Sequence, residues 1–165
     1  MKNLSDVNAM NTQNFLEAFG DVAEHSPWVA EQAAKARPYA NREAMVQAFV
    51  STIEAADHAA QLVLIRAHPD LATRAKLTED SSREQQGAGL DTLTEAEFSR
   101  FTTLNDAYKN RFGFPFIFAV KGATKAQILA SFEERVSNDM DAEFAKALSQ
   151  VCHIFRFRIE DRVKP

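Results

Sequence analysis

Apolar residues recur at intervals of three and four along most of this chain, and only five glycines and five prolines interrupt its 165 residues. That spacing with so few breakers makes an all-α fold the simplest solution. Phe15, Leu16, Phe19 and Val22 share one face of a helix predicted over residues 12–24. Ser26 is placed to cap a second helix with Pro27 in its first turn, and Pro38 ends it. Asn41 caps a third, carrying Met45, Phe49 and Ile53, and QLVLIRAH at 61–68 closes a fourth whose continuous apolar character implies burial. Capping-box patterns at TEAE (94–97) and TKAQ (124–127) open helices that reach about Phe112 and Ser137. The last helix runs from about residue 138 almost to Pro165. With no internal repeat and no low-complexity stretch, residues 1–165 read as one domain with a bundle-like helical core.

FGFPFIFAV at 112–120 is the exception. Gly113 and Pro115 break a helix there, the aromatic and β-branched residues favour extended backbone, and no partner strand is evident. Its buried N–H and C=O groups must find side chains, water or a ligand, which makes it a candidate wall for a binding site.

The formal charge of −4 gives no basic footprint for nucleic acid, and no stretch approaches the ~20 apolar residues of a membrane span. Cys152 is the only cysteine, and MKNLSDVNAM has no apolar signal-peptide core. The chain ends in VKP, unlike a peroxisomal SKL-type tripeptide. A cytoplasmic location is expected. His25, His58, His68 and His153 fall in no HExxH or paired His/Cys pattern, and no P-loop, GxGxxG or GxSxG element occurs. Metal, nucleotide and serine-nucleophile chemistries lose support, and no cofactor is expected.

Four polar positions remain as candidates. Pro69 disfavours helical geometry at His68, which therefore sits at or just past a helix end on the side of Leu64 and Ile65. There it serves either as a cation on the helix carbonyls or as a general acid/base. Glu84 and Gln85 have capping-box spacing to Ser81 and Ser82, so they are either caps or polar heads in a pocket. Arg158 continues the stripe of Phe144, Leu148, Val151 and Phe155 on the last helix, whereas Arg156 falls on another face. An arginine on a core stripe snorkels, pairs with a buried acid, or binds a ligand through its planar fork. Trp28 reads as a core anchor and Asp70 as a cap for the turn after Pro69.

EHSPWVAEQA, LIRAHPDLA, SREQQGAGL, LNDAYKNRFGFPFIFAVKG and RFRIEDRV, in this order, resemble the OHCU (2-oxo-4-hydroxy-4-carboxy-5-ureidoimidazoline) decarboxylase family over nearly the whole chain. Gly87, just before AGL, is a modest departure that adds flexibility. The resemblance implies an all-helical homodimer that decarboxylates OHCU to (S)-allantoin in urate breakdown, without metal or organic cofactor. It implies catalytic roles for His68 and Glu84 and substrate-binding roles for Pro69, Gln85, Phe116, Ile117 and Arg158. The competing readings are a helical binding module that has lost activity, and a hydrolase of a related ureido compound.

Overall fold

A computed structural model describes residues 1–74 and 76–165, and the described residues form nine α-helices with a single isolated bridge. They fall into two compact units, one of Met1–Ala67 with Cys152–Pro165 and one of His68–Val151.

The first unit holds α1 (Leu4–Ala9), α2 (Thr12–Phe19), α3 (Trp28–Ala34), α4 (Arg42–Glu54) and α5 (His58–Arg66), with the C-terminal part of α9 (Met140–Arg162). Phe15 lies 5.0 Å from Phe19 and 6.4 Å from Phe49, and Phe49 meets Phe155 edge-on at 6.1 Å. Rings at such separations bury large area and add a favourable quadrupole term. Asn41 caps α4 as its sequence indicates, accepting from Ala44 N–H at 2.8 Å.

Two expectations fail in this unit. α2 stops at Phe19 instead of reaching residue 24, with Gly20, a poor helix former, at its C-cap. Val22, Ala23 and Glu24 are then all buried, which three consecutive positions on one helical face cannot be. Ser26 does not cap α3: Pro27 is the N-cap, and the Ser26 hydroxyl donates back to the Glu24 carbonyl at 3.0 Å. α1 was not evident in the sequence. Lys2 beside it pairs with Val163, its N–H donating to the Arg162 carbonyl at 2.7 Å.

The second unit contains α6 (Glu79–Gly87), α7 (Glu95–Phe112), α8 (Lys125–Arg135) and residues 140–151 of α9. Thr94 caps α7 and Thr124 completes a capping box with Gln127 on α8. Gly113 ends α7 at φ 74°, where a Cβ would be strained, and residues 115–120 continue without helix or strand, as expected. Phe116 stacks on Phe132 with centroids 3.9 Å apart, and Tyr108 meets both rings edge-on.

Candidate active site

His68 lies one residue past the C-cap of α5, at the start of the second unit, and is 7% exposed. The chain after it turns through half-buried Pro69 and Asp70 and buried Leu71 and Ala72, with Ala72 at φ 56°. A left-handed alanine persists only where its surroundings hold it. Here side chains from two helices do so. The Ala72 N–H donates to Gln85 Oε1 at 2.9 Å, and Gln85 Nε2 donates to the Asp70 carbonyl at 3.4 Å. Asn105 Nδ2 donates to the Leu71 carbonyl at 2.9 Å, and Lys109 Nζ to the Asp70 carboxylate at 2.6 Å. Asp70 thus pairs with a lysine across the unit instead of capping the turn.

Glu84 precedes Gln85 on α6 and is half-buried. The capping reading of the SSREQ segment is overturned. Thr78 is the N-cap, its hydroxyl accepting from Ser81 N–H at 3.3 Å, so Ser81 and Ser82 lie inside the first turn and Glu84 in the second. Gly87 closes α6, and Gly89 takes the left-handed turn at φ 80°. A cavity of about 320 Å³ beside α6 reaches Gln85, Leu77 and Leu90, but neither His68 nor Glu84 lines it.

Phe116 and Ile117 lie in the buried non-helical segment, at 1% and 2% exposure. Arg135 fixes this stretch: Nη1 donates to the Ile117 carbonyl at 2.7 Å, and the guanidinium lies 4.3 Å from the Phe116 ring centroid. Its other side pairs with Glu143 at 3.0 Å, both side chains almost fully buried. The Tyr108 hydroxyl and Asn138 Nδ2 also donate to Glu143. Burial and the Glu143 charge push the Tyr108 phenol well above its usual range. The Ala119 N–H is satisfied by Gln150 Oε1 at 2.9 Å.

In the first unit, Arg158 is 2% exposed and donates to Glu24 at 2.8 Å and to the Val22 carbonyl at 3.3 Å. The pairing with a buried acid foreseen for an arginine on this stripe is present. Arg156 points elsewhere and grips Glu43 through two bonds of 2.6 and 2.7 Å. Cys152 is unsuited to nucleophilic work, since burial pushes its thiol up to about 11. No cluster of three metal-ligating side chains occurs among the described residues.

Glu24, Asn105, Arg135 and Glu143 escaped the sequence reading. Asn105 was detectable: with Phe101, Leu104, Tyr108 and Phe112 it completes a helical stripe, as Arg158 does on α9.

Fold and comparisons together define an all-α protein of the decarboxylase class. The chain belongs to the OHCU decarboxylase family, whose model matches residues 8–160. It is 40% identical over 162 residues to the 2-oxo-4-hydroxy-4-carboxy-5-ureidoimidazoline decarboxylase of Halalkalicoccus jeotgali, covering 98% of this chain and 92% of that protein. It is 41% identical over 161 residues to the uric acid degradation bifunctional protein PucL of Bacillus subtilis, covering 98% of this chain and 33% of that one. Among solved structures, (S)-allantoin synthase matches with a TM-score of 0.81 at 30% identity, over 98% of this chain and 54% of the other.

Proposed function

We propose that this chain decarboxylates OHCU to (S)-allantoin in urate catabolism, using its own side chains and the substrate's imine without a cofactor. The observation that carries the reading is the family match across residues 8–160, which includes every candidate side chain. Because that match runs through both compact units, we read them as one OHCU decarboxylase domain.

The substrate's name fixes its chemistry. One ring carbon bears both hydroxyl and carboxylate, and its neighbour bears the ureido group and a C=N bond. When the C–CO₂ bond breaks, its electron pair forms a double bond between the two ring carbons, and the C=N pair moves onto the ring nitrogen, which takes up a proton. The resulting enol becomes the ring carbonyl when its hydroxyl loses a proton and the ureido-bearing carbon gains one. We assign these proton transfers to His68 with Glu84, since imidazole and carboxylate groups can serve as acid and base near neutral pH. Pro69 and Gln85 stand beside them as binding groups. Phe116 and Ile117 present a fixed, non-helical backbone to the ring. Arg158 offers a planar fork to a carboxylate or carbonyl oxygen while Glu24 orients it. A homodimer in the cytoplasm, engaging neither nucleic acid nor membrane, completes the proposal. No single described helix is long and apolar enough to cross a bilayer.

The test is to generate OHCU in situ from urate, with and without a chelator, and follow CO₂ and optical rotation together. Accelerated CO₂ release with optically active allantoin, unchanged by chelation, is expected. Racemic allantoin at the spontaneous rate would leave the inactive-module reading, and consumption of a ureido compound without CO₂ the hydrolase.

A further inference from the structure

We propose that Asn105 is a positioning residue for the decarboxylation: from α7 it fixes the turn that follows His68 and so holds the imidazole in register with its substrate. The proposal rests on the catalytic reading of His68. Asn105 is 7% exposed, and among the described residues its amide has one partner, the Leu71 carbonyl at 2.9 Å. Its Oδ1 is buried without a hydrogen bond to any of the described residues. Burying a whole amide for one bond is costly, so an apolar residue would serve the α7 stripe better if packing were the only demand.

The turn itself supplies that further demand. Residues 70–72 lie outside regular secondary structure, so no helix or sheet ladder sets their backbone. Gln85 reaches the groups on either side of Leu71, the Asp70 carbonyl and the Ala72 N–H. Among the described residues, Asn105 holds the Leu71 carbonyl between them. Lys109, four residues on along α7, fixes the Asp70 side chain from the same helical face. Three consecutive residues are thereby pinned from two helices, and Ala72 is kept at φ 56°. His68 is tied to this turn through Pro69, whose ring restricts φ at the one intervening residue. Movement at Leu71 is therefore passed on to His68 with little to absorb it. Displacing a proton-transfer group by ~1 Å can cost on the order of 10²-fold in rate.

The test compares Asn105→Leu, which keeps the branched shape and heavy-atom count but is bulkier and has no donor, with Asn105→Asp, which keeps shape but sets a carboxylate against the Leu71 carbonyl. Asp106→Asn, at an exposed neighbouring position, is the control. Both Asn105 variants are expected to lower kcat at least ~10-fold while KM moves less than ~3-fold, and to displace the histidine limb of the kcat–pH profile. The control should match wild type. Thermal denaturation on the same samples separates these effects from lost folding. Wild-type kcat and pH profile per folded molecule in either variant would overturn the proposal, as would failure of both to fold, which assigns Asn105 to stability alone. His68→Gln in the same assay separates the two levels. If it retains wild-type turnover, the catalytic reading falls; if it is inactive while the Asn105 variants are normal, only the positioning role falls.

Discussion

At His68 the expected loss is large: His68→Gln should lower turnover at least ~10²-fold, the scale of a general acid/base contribution, with the melting temperature close to wild type. Rapid-quench measurement of CO₂ release checks it, and near-normal turnover in folded protein would end the assignment. Glu84 is a sharper test, because its competing role as a cap has lost its basis: Thr78 occupies that position. Glu84→Gln should therefore damage turnover and barely move stability, the opposite of the ~0.5–2 kcal/mol loss that removing a cap produces. A stability change with intact turnover would show that the carboxylate is structural. On the last helix, Arg158→Lys should lose most of its kcat/KM per folded molecule, because an ammonium cannot reproduce the planar fork even where it can still meet Glu24. Arg156→Lys should be nearly silent in the same assay, since that side chain serves Glu43. Equal sensitivity at the two positions would refute the ligand role given to Arg158.

At the scale of the elements, the FGFPF stretch depends on a buried charge. Arg135→Leu would strand Glu143, which is fully buried, and should cost about 3–5 kcal/mol of unfolding free energy in a denaturant titration. Adding Glu143→Leu should recover much of that loss. If the single variant is as stable as wild type, Arg135 does not anchor the segment. This dependence shows where sequence legibility ended. Caps at Asn41, Thr94 and Thr124 were readable because each stands directly before an apolar stripe, and the break at Gly113 because only glycine is comfortable at φ 74°. Arg158 was readable for its phase on α9. The end of α2 and the true cap of α6 were not, because tertiary burial of residues 22–24 and a second plausible cap at Ser81 override local signals. The partners of Arg158 and Arg135 were hidden for another reason. Glu24 is distant from Arg158 in sequence, and the acid that Arg135 meets sits across a turn at the start of the next helix.

For the molecule as a whole, acid stability should carry the signature of the Glu43–Arg156 contact. Hydrogen bonds from Arg156, then from Gln47, pull the Glu43 carboxyl from 4.5 down to about 2. A depressed carboxyl pKa adds stability that is complete above about 4.5 and fades as the pH falls toward about 2. Glu43→Gln should thus melt below wild type near neutrality, and the gap should close on acidification and shrink in salt, since the pair is exposed. A gap constant with pH would place the effect elsewhere. A different consequence follows from the division of the chain. The first unit is begun at Met1 and interrupted at Ala67, and it resumes only at Cys152. Its core needs Phe155, Ile159 and Val163, and Arg42 donates to the Val163 carbonyl. On a ribosome adding about 5–20 residues per second, the opening helices must wait roughly 4–17 seconds while residues 68–151 are made. During that interval Phe49 lacks the aromatic partner that Phe155 will supply, so the core of the first unit is completed only after residues 152–165 have followed the whole of the second.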